Sequence, residues 1–214
     1  MHVMTSEPNQ PHSTLRERQK KARIDAIILS AKQLFLEKGY AETTIEMIAD
    51  AALVSAPTIY NYFKTKDRLL LTLIQKCDEE MIVLLIRSIE HPKSSAEKEI
   101  ANVLILIVST SLNSLDPKVW RYAFAYKVLE SNTEIGTGYI KLNNELYNAV
   151  ENLLKTLLSH GKLPQDTDVS HLRSLLQRLN HALFSEIISD RGISLAQYRK
   201  TIRSYVRIII SGIK

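Results

Sequence analysis

Cysteine is nearly absent: Cys77 stands alone in 214 residues. No internal disulfide is available, so the fold must hold by packing. Glycine and proline are scarce too, six of each, which disfavours a fold of many short strands and turns and favours helices. No segment alternates apolar and polar residues over the length of a strand, and no repeat recurs. The longest apolar run, 100–108, contains Asn102 and falls well short of the roughly 20 residues that a membrane span needs. The N-terminus is polar, carries Pro8 and Pro11, and has no apolar leader. A cytoplasmic protein without a membrane partner is therefore expected. A glycine-rich phosphate loop is missing, no nucleophile motif surrounds Cys77, and none of the six histidines stands at a metal-ligand spacing. These absences argue against an enzyme and against a cofactor.

What is present is apolar and helical in period. The formal charge is mild, +5 from 28 basic and 23 acidic residues, which permits nucleic-acid binding without requiring it. The bases are uneven, however: Arg16, Arg18, Lys20, Lys21 and Arg23 gather near the N-terminus against Glu7 and Glu17. Residues 1–14 are polar and read as a disordered arm. Nine helices are expected after it, at about 15–38, 43–52, 55–63, 66–90, 95–113, 117–130, 137–160, 167–189 and 195–211. Gly39 suits the left-handed residue that ends the first. Thr43 with Glu46 reads as a capping box for the second. Ser55 caps the third, with Pro57 in its first turn, where a missing N–H costs nothing. Thr65 caps the fourth.

Two short helices joined by a tight turn form a helix-turn-helix layout. Projected at helical pitch, Ile59 and Phe63 of the third segment face a core. Pro57, Thr58 and Asn61 face away, flanked by Tyr60 and Tyr62. That outward face suits a DNA major groove: the Thr58 methyl and the Pro57 ring can meet thymine methyls, Asn61 can pair with adenine, and the tyrosines can reach phosphates.

The stretch Gly39-Tyr40, Thr43-Thr44-Ile45, Ile48-Ala49, Val54-Ser55, Thr58-Ile59-Tyr60, Tyr62-Phe63 and Lys66, followed by Leu69-Leu70, closely resembles the DNA-binding domain of the TetR family of bacterial transcriptional regulators. The resemblance covers about 23–73. It implies an all-α protein with a three-helix DNA-binding domain at 15–65 and a helical effector-binding and dimerisation domain at 66–214. It also implies site roles. Thr44 would touch phosphate; Ala56, Pro57, Thr58 and Asn61 would approach base edges; Tyr60, Tyr62 and Lys66 would grip phosphates; the basic segment 16–23 would follow the backbone or reach the minor groove. One position departs from the family pattern: Leu53 stands where a turn glycine is usual. A left-handed leucine there costs on the order of 1 kcal/mol.

The later helices carry polar residues inside apolar stripes. Trp120 and Phe124 share one face of the sixth. Tyr139, Asn143 and Tyr147 lie along the seventh, and Asn180 and Phe184 along the eighth. An apolar pocket with a few polar handles has this make-up, and the expected occupant is a small, largely apolar or aromatic molecule with a hydrogen-bonding group. A packed core has the same pattern. A closed, partly apolar cavity beside Trp120, Asn143 and Phe184 would separate the two readings. The last two helices are apolar on more than one face, with Leu172, Leu176, Leu179 and Leu183 on the eighth and Ile202, Val206 and Ile209 on the ninth. Helices of that kind need burial on more than one side, and an isologous homodimer interface supplies the second. The function expected is a ligand-responsive regulator, a repressor that a small molecule releases from a palindromic double-stranded DNA operator. The alternative is a DNA-associated protein of the same fold that acts through protein partners.

Overall fold

The computed structural model describes residues 14–89, 92–129 and 132–212. Among these, nine helices and no strand occur: α1 (Leu15–Lys38), α2 (Ile45–Ala51), α3 (Ala56–Phe63), α4 (Lys66–Ile89), α5 (Ala96–Ser114), α6 (Pro117–Leu129), α7 (Glu134–Ser159), α8 (Val169–Ile188) and α9 (Leu195–Gly212). No single helix among the described residues is long and apolar enough to cross a membrane. The expected disordered arm lies outside the described residues except for Thr14, and Thr14 is no arm residue. Its side chain accepts from the Glu17 N–H while Glu17 answers its backbone N–H, a complete capping box for α1.

α1, α2 and α3 wrap one small core of Ile27, Phe35, Ile48 and Ile59, all fully buried. α1 ends where the chain needs a positive φ, and Gly39 supplies it at φ 84°. The cap of α2 differs from the expectation by one residue. Thr44, not Thr43, is the N-cap; it accepts from the Met47 N–H at 3.2 Å. Thr43 is fully buried instead, and its hydroxyl donates to the Gly39 carbonyl at 2.7 Å. The two adjacent threonines thus divide the labour, one tying the loop down and one starting the helix. Ser55 caps α3 by accepting from the Thr58 N–H, with Pro57 in the first turn. Leu53 does take the left-handed conformation, φ 54°, with its side chain 93% exposed. No packing offsets the strain there.

α4 follows α3 with little break and runs from the small core into the large one, packing on α1, α3, α5 and α7. Leu69, Leu70, Leu73, Ile74, Met81 and Leu85 form its buried side. α7 starts earlier than expected, because Thr133 accepts from the Gly136 N–H and carries the helix through both glycines. A Cβ at Gly138 would sit 2.7 Å from the Leu71 Cδ2, so the glycine allows α7 to approach α4 closely. α8 likewise begins after Asp168, which accepts from the Ser170 and His171 N–H groups, rather than at Thr167.

The joint between the two cores is held by Lys66. Its ammonium donates to the Tyr40 and Thr43 carbonyls at 2.9 Å each and to the Ala41 carbonyl at 3.4 Å. It also sits 4.4 Å from the centre of the Tyr40 ring. One cation therefore satisfies three loop carbonyls that no helix bonds. Replacing Lys66 by Met should lower unfolding stability by about 2 kcal/mol in a urea titration, the scale of hydrogen bonds to a charged group. An unchanged midpoint would show the clamp to be dispensable.

Candidate DNA-reading helix and effector cavity

The outward face of α3 is assembled by its buried one. Ile59 and Phe63 are buried and fix the rotation of the helix. Pro57, Tyr60 and Asn61 are consequently exposed, and Ala56, Thr58 and Tyr62 are half-buried at the margin. Tyr62 leans on Phe63 with ring centres 6.3 Å apart, and Thr44 is exposed at the start of α2. Seven of the eight candidate DNA-contacting residues therefore lie on the surface of the α2–α3 unit or at its edge. Lys66 is the exception. Its donors are spent on loop carbonyls, so it braces the unit from within and does not stand free for a phosphate. Sequence could not separate these roles, since a lysine after a cap fits either.

The second site is a cavity between α4, α5, α6, α7 and α8, of about 30 Å³. All seven candidate ligand-lining residues border it: Trp120 and Phe124 from α6, Tyr139, Asn143 and Tyr147 from α7, and Asn180 and Phe184 from α8. Phe124 is the hub of its aromatic wall, with ring centres 5.5 Å from Phe184 and 6.0 Å from Tyr139. Trp120 meets Phe184 edge to face at 5.5 Å. Most polar groups in the wall are already paired. The Asn180 amide donates to the Tyr147 oxygen at 2.8 Å, and the Tyr198 hydroxyl donates to the Asn180 carbonyl at 2.6 Å. The Trp120 indole N–H donates to the Ser111 carbonyl at 2.9 Å. Burial pushes the Tyr139 and Tyr147 phenols far above their ordinary range, so both stay neutral.

Two polar residues of the wall were not picked out from sequence, Asp78 of α4 and Ser111 of α5; His181, beside Asn180 in the apolar stripe of α8, also lines it. Asp78 had a usable signal. It falls four residues after Ile74 and three before Met81, a carboxyl on the buried stripe of α4. It is 7% exposed, and desolvation by burial raises its pKa to about 7.

Comparison with known proteins decides what this combination is. Residues 27–73 match the model of the family described as bacterial regulatory proteins, tetR family. The resemblance to that family is shown for this N-terminal segment. The regulator TcmR of Streptomyces glaucescens is 39% identical over 80 residues, 37% of this chain and 34% of TcmR. The chain therefore matches only about a third of that relative's length. Over the whole fold, FadR from Bacillus subtilis, solved in complex with stearoyl-CoA, superposes with a TM-score of 0.66 at 21% identity, covering 89% of this chain and 99% of FadR. A regulator from Saccharomonospora viridis solved with choline superposes at 0.67 and 20% identity, covering 88% and 97%. At these identities the structural likeness establishes the shared fold alone.

The residues expected at a dimer interface need correction. Leu172, Leu176, Leu183, Ile202 and Val206 are buried within the chain itself, between 0 and 6% exposed. They form the core against α5 and α6 rather than an interface. Only Leu179 and Ile209 of that set remain partly exposed. The uncovered apolar side chains lie one stripe over, at Leu175, Tyr205 and Ile208, which are 48, 43 and 63% exposed. Two apolar faces were legible on each helix, but periodicity does not say which one the chain's own core takes.

Asp78 yields a prediction on stability. Its carboxyl holds a proton more tightly folded than unfolded, since the ordinary value is 3.8 and the folded one about 7. The folded state binds more protons through this interval, so stability falls as pH rises from about 4 to 7. The other titratable groups at the cavity are Tyr139 and Tyr147 of α7 and His181 of α8, with Cys77 adjacent on α4. Asp78→Asn keeps the shape and removes the titration. Its gain in unfolding free energy over wild type should grow by about 2 kcal/mol between pH 5 and pH 8, at about 1.4 kcal/mol for each tenfold difference in proton affinity. A gain that does not change with pH would contradict the assignment.

Proposed function

We propose that the chain is a homodimeric, ligand-responsive DNA-binding regulator, a repressor released from a pseudo-palindromic operator by a small molecule. Residues 15–65 form the reading unit, and 66–214 the effector-binding and dimerising unit. The observation that carries this reading is that α4 serves both sites. It begins at Lys66, which braces the reading unit, and carries Asp78 into the cavity, twelve residues and about 18 Å farther on.

In this mechanism two copies of α3 enter successive major grooves about 34 Å apart. Pro57, Thr58 and Asn61 meet base edges; Thr44, Tyr60 and Tyr62 hold phosphates. The exposed stripe of Leu175, Tyr205 and Ile208 meets its symmetry mate, and the groove it borders between α8 and α9 is large, about 720 Å³. Filling the cavity displaces α6 and α4. α6 reaches the reading unit through Tyr122, whose ring lies 4.8 Å from that of Tyr40. Tyr40 in turn hydrogen-bonds Asp67 in the first turn of α4. A ligand that binds the displaced state more tightly shifts the two heads off the groove spacing, with a coupling of about 1–3 kcal/mol. Solved structures of the same fold in complex with stearoyl-CoA and with choline support a small-molecule effector and leave its chemistry open. A protein-binding adaptor, by contrast, has no use for a partly apolar cavity.

The test is a fluorescence-polarisation titration against randomised duplex DNA at two salt concentrations. Wild type should select a palindromic site, and Tyr60→Ala should lose about tenfold or more in affinity for it. Weak, unselective binding by both proteins, present only at low salt, would refute the reading.

A further inference from the structure

We propose that the cavity binds a small organic cation, an alkylammonium ion whose nitrogen pairs with Asp78 inside the aromatic wall. This rests on the effector reading of the same cavity and deepens it to a ligand class.

Three observations converge. First, Asp78 is the one carboxyl of the wall, and the protein leaves it unserved. Asn180, Ser111, Trp120 and Tyr147 have partners within the chain, and Gln177 donates to the Asn143 oxygen at 2.7 Å. Asp78, 7% exposed and lining the cavity, has no hydrogen bond or ion pair among the described residues. A buried carboxyl in that condition is costly unless something completes it. Second, no lysine or arginine lines the cavity, so the wall sets no permanent positive charge against Asp78. Third, five aromatic rings share the wall with Asp78. Trp120, Phe124, Tyr139 and Phe184 pack 5.5–6.0 Å apart, and Tyr147 meets the His181 ring at 5.9 Å. Such rings attract a soft, weakly hydrated cation and offer an anion nothing. Hydrocarbon alone would need no carboxyl, and a ligand carboxylate would repel this one.

Size limits the class. The cavity of about 30 Å³ holds roughly two waters as it stands. An ion of a few heavy atoms enters if Phe124 and Leu142, both only partly buried, move outward. A cleft of about 440 Å³ between α7 and α8, lined also by Arg173 and Arg178, shares Tyr139, Asn143 and His181 with the cavity.

The test uses three probes of one shape and different charge: tetramethylammonium, tert-butanol and pivalate. The reporter is intrinsic, since the only tryptophan, Trp120, stands in the wall. Titrations of Trp120 emission at pH 8 should give tetramethylammonium the tightest binding, with tert-butanol and pivalate at least about tenfold weaker. Asp78→Asn should erase that preference while leaving tert-butanol unchanged. The wild-type comparison among probes stands even if the variant folds poorly. Equal binding of tert-butanol, preference for pivalate, no tetramethylammonium binding, or an Asp78→Asn protein that keeps the preference would each overturn the proposal. Operator affinity measured with and without tetramethylammonium separates the two readings. Selective binding that leaves operator affinity untouched upholds the cation site and refutes its role as an effector site.

Discussion

The packing of one ring, Tyr40, organises the chain. Tyr40 is 5% exposed and sits between Phe35 of α1, at 5.2 Å, and Tyr122 of α6, at 4.8 Å. Its hydroxyl reaches Asp67 and its carbonyl takes the Lys66 ammonium. One residue of the α1–α2 loop therefore touches the end of α1, the start of α4 and the middle of α6. The reading unit is not suspended on a flexible linker. It is bolted to the helix that carries Trp120 and Phe124, through rings and a charged hydrogen bond that tolerate few alternative arrangements. Packed contacts of this kind convert small shifts into discrete changes, because close-packed interiors do not deform smoothly.

Halfway along α4 the chain accepts a cost. Asp78 could be an apolar residue with a gain in stability at neutral pH, since its carboxyl is desolvated and unanswered. Most of the cavity wall follows ordinary rules: the Asn143 and Asn180 amides, the Ser111 hydroxyl and the Trp120 indole N–H are paired. A desolvated carboxyl kept in a largely paired wall is the pattern of a site that gives up stability for binding. Leu53 is a second local cost, a left-handed non-glycine turn between α2 and α3 with a fully displayed side chain. Nothing in the structure explains why a leucine occupies that turn.

Much of this was readable from sequence because the signals were local. Caps, Gly39, Pro57 and the 3.6-residue stripes fix helices by themselves, and the α3 pattern of Ile59 and Phe63 inward leaves its outward face determined. The seven aromatic and amide residues that border the cavity were legible because polar atoms in an apolar stripe must face something. What escaped needed three dimensions. Thr43 and Thr44 are equivalent as caps until the loop's own carbonyls claim one of them. Lys66 looks like a surface cation until three carbonyls are brought to it from more than twenty residues earlier. α8 and α9 each show two apolar faces, and only packing against α5 and α6 reveals that Leu172, Leu176 and Val206 are core while Leu175 and Ile208 are uncovered.

In the proposed mechanism the state of the cavity reaches α3 through the Tyr122–Tyr40 contact. A double-mutant cycle on operator affinity tests this coupling, with Ser111→Met to occupy the cavity and Tyr122→Ala to cut the contact. Ser111→Met should weaken operator binding in wild type, and the effect should shrink by about fivefold or more once Tyr122 is removed. Effects that simply add, within about twofold, would mean the cavity and the reading helix communicate by another route or not at all.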